Sequence, residues 1–386
     1  MIPRHRPPFS LRQFLRAQIG QAPGSSEQWE AEIVERLEIP HAILLPSARF
    51  GICAGLRICV PAGESVVVPV FNCSAVHEAA IRSGRDTKFV DCSDRSFLMD
   101  LGRIPKASAW VLSEPYGQTY DLSAAPSLRP FCILDMAMSI PEKCLLERLA
   151  PCDLGVFSFG LGKALYAGWG GLAITRDRRL AQELRRTIQV SCRNDPGRGE
   201  VLGRTLVLGA RLVAHWKPIY GSARKIVTPR PQSTKSDGIQ SPPDGWSRAG
   251  TESEEWRRLP IRPELKMVAF NFQNWARNAA SRRALETQYR NLLQGLAGVT
   301  LPAPSPGVLS HFTIRVPASD RDRIRERLWK RGFDTGDLFG FPGYCDPAMF
   351  PNSFRASREL INLPMDRGVT VASIQSIART LRMDSE

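Results

Sequence analysis

Metal-ligand spacing is missing from this chain. Its nine cysteines form no CxxC pair and its five histidines stand far apart, which argues against a zinc site. Scattered cysteines in odd number point to reduced thiols in a reducing compartment. No run of roughly 18 uncharged apolar residues occurs, so no membrane-spanning helix is expected. The stretch from Met1 to Pro8 lacks the apolar core of a secretory signal. Internal repeats and nucleic-acid-binding motifs are also absent. These absences leave the cytoplasm as the expected location.

Ordinary proportions accompany them. Apolar residues make up 43% and charged residues 23% of the chain, as in a soluble globular protein. At 386 residues the chain exceeds one typical domain, and two are expected. The net charge is +14 and the pI near 9.7. Such a surface attracts polyanions: nucleic acid, an anionic membrane, or a phosphorylated small substrate. Much of the excess sits in pairs such as Arg185-Arg186 and Arg257-Arg258, which read as solvated faces.

Short apolar runs alternate with helical patterns through the first half. Strands are expected over 42–45, 65–70, 88–91, 108–113, 130–135, 154–159 and 171–175, and helices over 28–37, 50–59, 76–83 and 176–190. That alternation predicts an α/β fold, a mostly parallel sheet covered on both faces. Ligands in such sheets bind beyond the carboxyl ends of the strands, where Ser47, Asn72, Asp135 and Ser158 fall. Residues 201–217 are apolar with spaced cations and an aromatic end, which fits a membrane-interface helix or a helix packed on its own domain or a partner subunit. Residues 228–260, rich in Pro, Ser, Gly and charge, read as a flexible loop or linker. Beyond them the pattern predicts a long helix over 264–294 with its arginines facing solvent, a strand at 312–316, a helix over 321–330, a loop over 334–352 and a last helix over 371–381. The resulting divisions are 1–195, a large α/β domain; 196–262, an insertion; and 263–386, a smaller C-terminal α+β domain.

One constellation carries chemistry. Phe131 to Leu134 ends in Asp135, followed by Met136, Ala137 and Met138; Phe157-Ser158-Phe159 leads to Lys163, and Gly168-Trp169-Gly170-Gly171 follows. A carboxylate at a buried strand end needs a partner, unless Asp135 merely caps a turn. Lys163 alone would read as exposed. Together with Ser158 and the small Ala137 it suggests pyridoxal phosphate (PLP), which needs a lysine amine for a Schiff base, a carboxylate at its ring nitrogen, and donors for its phosphate. Pro46-Ser47-Ala48-Arg49 opens a helix, where backbone N–H groups and the dipole favour an anion. Ser47 is equally a plain N-cap.

The chain resembles the DegT/DnrJ/StrS family of PLP-dependent sugar aminotransferases, of the aspartate-aminotransferase fold type I. The resemblance lies in Ser47-Ala48-Arg49-Phe50-Gly51, in Gly63 to Cys73, in Glu114-Pro115-Tyr116-Gly117, in Leu134-Asp135-Met136-Ala137-Met138, in Phe157-Ser158-Phe159 to Lys163 with its glycine-rich exit, and in Ile361-Asn362-Leu363-Pro364-Met365. It covers most of the chain outside roughly 195–260. It implies that Lys163 carries the Schiff base and moves protons, that Asp135 keeps the ring nitrogen protonated, and that Ser47, Ala48, Arg49 and Ser158 hold the phosphate. Cys73, Ala137 and Met138 complete the cofactor pocket. The implied donor is glutamate and the implied acceptor a keto-sugar on a nucleotide, in polysaccharide or secondary-metabolite biosynthesis. The implied assembly is a homodimer. Departures are visible. Cys73 replaces a stacking aromatic, Met138 a glutamine and Arg49 a threonine. A phosphate-binding asparagine has Glu264 as its nearest counterpart, and an acid there would repel phosphate. These departures, with the apolar insertion, also fit a lipid-linked or non-sugar acceptor. A non-catalytic binding paralogue is the remaining alternative, against which an intact Lys163 and Asp135 stand.

Overall fold

A computed structural model describes residues 1–19, 25–94, 96–122, 130–141, 145–192, 196–227, 239–240 and 254–382. Two helices, α1 (Leu11–Ile19) and α2 (Ser26–Leu37), precede β1 (His41–Leu45) and α3 (Ala48–Cys59). Then come β2 (Ser65–Pro69), α4 (Ser74–Arg82), β3 (Asp86–Val90), β4 (Ala109–Ser113), β5 (Phe131–Asp135), α5 (Leu145–Leu149), β6 (Leu154–Ser158) and β7 (Gly171–Thr175). These seven strands form one sheet in the order β1-β7-β6-β5-β4-β2-β3. Neighbours from β6 through β3 run parallel, and β7 is antiparallel to both β6 and β1.

The strands inside the sheet read as apolar runs because both its faces are covered, while the edge strand β3 is partly exposed. In β5, Cys132 and Leu134 enter one core cluster with Trp29, Leu149 and Phe272, while Ile133 enters another with Ile52, Leu56 and Leu184. Helices stop and start where their caps allow. Ser25 and Gln28 form a reciprocal capping box at α2, and the Asp177 carboxylate accepts from Arg179 and Leu180 N–H at the start of α6 (Arg178–Ser191).

The insertion is helical where described, as α7 (Arg198–Ala214) and α8 (Lys217–Val227). Leu208 and Leu212 are buried in the same core cluster as Phe14 of α1, so α7 packs on its own chain, as the plainer sequence reading has it. Most of the expected linker lies outside the described residues; Ile239–Gln240 forms a short β8. Next comes α9 (Arg262–Leu293), whose first half joins the sheet's core and whose second half joins a separate cluster. That cluster also holds β9 (Phe312–Arg315), α10 (Arg321–Lys330), β11 (Leu360–Leu363) and α12 (Val371–Arg382). Between them lie β10 (Phe341–Pro342), parallel to β8, and α11 (Pro351–Glu359). One expectation fails on α9. Arg282 does not face solvent: it is buried, donating to Asp366 at 2.6 Å and to the Ser310 carbonyl at 2.7 Å.

Candidate active site

The sheet's register assembles the site. Gly171 opens β7 opposite both Leu45 and Ser158, and Gly170 bridges to Ser47. The turn opening α3 therefore lies against the turn after β6. A side chain at Gly171 would meet Ala48 N and the Phe157 carbonyl at 2.8 Å, which is why the exit needs glycine there. Across the sheet, Ser113 is level with Asp135.

A cavity of about 230 Å³ opens at these strand ends. Ser47, Ala48, Arg49, Cys73, Asp135, Ala137, Met138, Ser158 and Lys163, the full set expected from sequence, line it. The Lys163 side chain makes no hydrogen bond or ion pair among the described residues. Asp135 is buried, and its Oδ1 accepts the Ala137 N–H at 3.0 Å. Burial raises its pKa, opposed by the nearby Lys163 charge, the Ala137 N–H and the Ser113 hydroxyl. Ser113 is itself fixed: Asn72 Nδ2 donates to its Oγ at 2.7 Å, which leaves the hydroxyl proton to point at Asp135. Asn72 in turn accepts the Cys73 N–H at 2.7 Å.

Two expected donors are otherwise engaged. Ser47 Oγ accepts the Phe50 N–H at 3.2 Å and caps α3. The Arg49 guanidinium donates to Glu78 at 3.1 Å and lies 5.3 Å from the Trp256 ring centroid. What α3 offers an anion is thus its N-terminal dipole and the Ser47 hydroxyl proton. Glu264 is not a bare acid. Arg204 of α7 pairs with it, and its other bond is to the Ile261 N–H at 3.0 Å, capping α9.

Sequence reasoning missed Ser113, Glu114, Trp169 and Phe339, all of which line the cavity. Ser113 shared the signal that marked Asn72 and Asp135, a polar residue ending an apolar strand. Glu114 is a second buried carboxylate, held by Arg148 and by Ser139 at 2.7 Å; burial raises its pKa, and Arg148 opposes the rise. Phe339 and Met138 belong to one apolar cluster with Cys73 at its edge, so an aromatic ring reaches the cavity from the C-terminal part. The Tyr116-Gly117 turn pins that part nearby. The Tyr116 carbonyl accepts the Ser310 N–H at 2.7 Å, and Gly117, at φ 84°, passes so close that a Cβ would lie 2.2 Å from the Val308 oxygen.

A model of the DegT/DnrJ/EryC1/StrS aminotransferase family matches residues 10–211, the span that builds the sheet and the Lys163 turn. The chain belongs to that family. It is 29% identical over 168 residues to the UDP-N-acetyl-3-dehydro-α-D-glucosamine 3-aminotransferase of Acidithiobacillus ferrooxidans, a match spanning 40% of this chain and 46% of that relative. It is 24% identical over 363 residues to the dTDP-3-amino-3,4,6-trideoxy-α-D-glucose transaminase of Streptomyces venezuelae, spanning 88% of this chain and 81% of that one. Among solved structures, NtdA of Bacillus subtilis, with bound PMP, superposes with a TM-score of 0.69 at 16% identity over 97% of this chain and 82% of that one. The fold is that of these aminotransferases.

Proposed function

We propose that this protein is a PLP-dependent aminotransferase moving an amino group from an amino acid, glutamate in this reading, to a keto-sugar carried on a nucleotide. The observation that carries the reading is the meeting of Lys163, buried Asp135, and the Ser47 and Ser158 turns in one cavity. The residues fit the cofactor. An unengaged amine faces a buried carboxylate whose raised pKa a ring N–H would reverse, and a helix N-terminus opens toward the place for a phosphate. When bound, PLP supplies a carbonyl for exchange with amines and an electron sink. Lys163 would hold it through the side-chain amine, and that amine, when free, would carry the proton taken from the donor. Asp135 would be the carboxylate partner of the ring nitrogen. Ser113, oriented by Asn72, opposes the rise that burial gives the Asp135 pKa. Ser158 and the Ser47–Arg49 turn hold the phosphate, while Cys73, Ala137, Met138 and Phe339 form the walls. The test is a visible spectrum before and after glutamate. A yellow protein whose absorbance shifts with glutamate supports the reading; a colourless protein that takes up no PLP overturns it.

A lipid-linked acceptor is the second reading, favoured by one observation. Trp169 lines the Lys163 cavity and also borders Gly203 and Val207 of α7. Turnover with nucleotide keto-sugars decides against it. In this reading the enzyme is cytoplasmic, and no helix among the described residues is long and apolar enough to cross a membrane. It divides into residues 1–195, 196–262 and 263–386, and it forms a homodimer through the Gly168–Gly171 exit and the loop after Pro69. A fully active monomer in light scattering would refute the dimer. Residues 201–217 make peripheral membrane contact in the same reading.

A further inference from the structure

Helices α1 and α7 bury their inner faces together. Phe14, Leu208 and Leu212 share the main core. Their outer faces are apolar too. On α1, Leu11, Leu15 and Ile19 are exposed at four-residue spacing. On α7, Leu202, Leu206 and Val213 are exposed four and seven residues apart, which sets them along one side, with Val207 exposed on the flank. Trp216 and then Ile219 and Ile226 of α8 continue the exposed set. The exposures are large: Leu206 63%, Trp216 57% and Ile19 88%. Single exposed leucines need no explanation, but a contiguous set across three helices does.

Charge decides what covers it. Helices α1, α7 and α8 carry two, three and three arginines or lysines, against one acid, Glu200. That acid is spent on Arg204 at 3.2 Å. Arg12, Arg16, Arg198 and Lys225 are exposed around the apolar residues. A second copy meeting this face would set like charge against like charge. An anionic lipid surface complements both features, with headgroups for the cations and acyl chains for the apolar row.

We propose that the outer faces of α1, α7 and α8 form one docking surface for a bilayer rich in anionic phospholipid. The proposal extends the membrane contact of residues 201–217 in the functional reading above.

The test is sedimentation of the full-length protein with vesicles of phosphatidylglycerol and phosphatidylcholine, and with phosphatidylcholine alone. The expected result is binding to the anionic vesicles at low salt, partial release at high salt, and little binding to the neutral ones. Arg12→Gln with Arg16→Gln should weaken binding about fivefold per arginine. Leu15→Gln with Leu206→Gln should also weaken it several-fold. The glutamate-induced spectral change, read on the same samples, should be unaltered in both variants. This separates membrane docking from the aminotransferase reading and shows that the variants fold. Wild-type protein that ignores anionic vesicles overturns the proposal. So does equal binding to neutral vesicles, and so does an oligomer that the leucine variant converts to monomer, which would assign the surface to a second copy.

Discussion

Asp135 ends β5 without a charged hydrogen-bond partner. Its raised folded-state pKa means that its contribution to stability is full below the unfolded pKa and lost as pH rises through the folded one. Asp135→Asn removes that loss. The cofactor-free variant should therefore melt higher than the wild type at neutral pH, with the gain shrinking as pH falls into the range where Asp135 takes up its proton. With cofactor and glutamate, the same variant should turn over more slowly, because the ring nitrogen loses its ionic partner. Melting curves against pH check the first expectation; a difference that does not change with pH would contradict it. At this scale the sequence was legible at Ser47, Asn72, Asp135 and Ser158, where a polar residue closes an apolar strand and lines the cavity, though Ser113 carried the same signal unread. It was silent on Phe339, which reaches the cavity from an irregular loop at φ 73°. It was silent too on Glu78 of α4, which accepts from the Arg49 guanidinium, a partner no local pattern discloses.

Helix α7 is tied to α9 by one buried pair. Arg204 donates to Glu264 and, at 3.1 Å, to the Leu259 carbonyl, and the Glu264 side chain is only 4% exposed. Burial raises the Glu264 pKa, and Arg204 opposes the rise. Arg204→Ala would leave this acid buried with no cation and should destabilise the protein by about 3–5 kcal/mol in urea unfolding. Adding Glu264→Gln should recover much of that loss. A loss below about 1 kcal/mol would mean the pair acts as an exposed one. The inner strands of the main sheet were legible because burial on both faces writes them as apolar runs, whereas the edge strand β3, Asp86-Thr87-Lys88-Phe89-Val90, is largely polar. Helices α1 and α8 were not legible. Both carry an apolar stripe of helical period, Leu11-Phe14-Leu15 in α1 and Ile219-Ala223-Ile226 in α8, but most of those large side chains are exposed.

Helix α9 joins two apolar cores, with Lys163 and Asp135 near one and Phe339 supplied from beyond the other's first strand, β9. Sequence pattern marked α9 as a long helix but read its arginines as facing solvent, where Arg282 is buried. A helix buried against different partners along its length carries no single amphipathic face, and α9 holds buried residues from Glu264 to Leu293. The net charge of +14 suits an anionic acceptor and an anionic surface alike, so charge alone did not choose between them. Everything proposed for the chemistry depends on one lysine being joined to the cofactor. Borohydride reduction of the PLP-loaded protein, followed by peptide mapping by mass spectrometry, tests this directly. The account predicts a single reduced cofactor adduct on Lys163, lost in Lys163→Ala together with turnover by a factor on the order of 10²–10⁴ or more. An adduct on a different lysine, or none after loading with PLP, would contradict it.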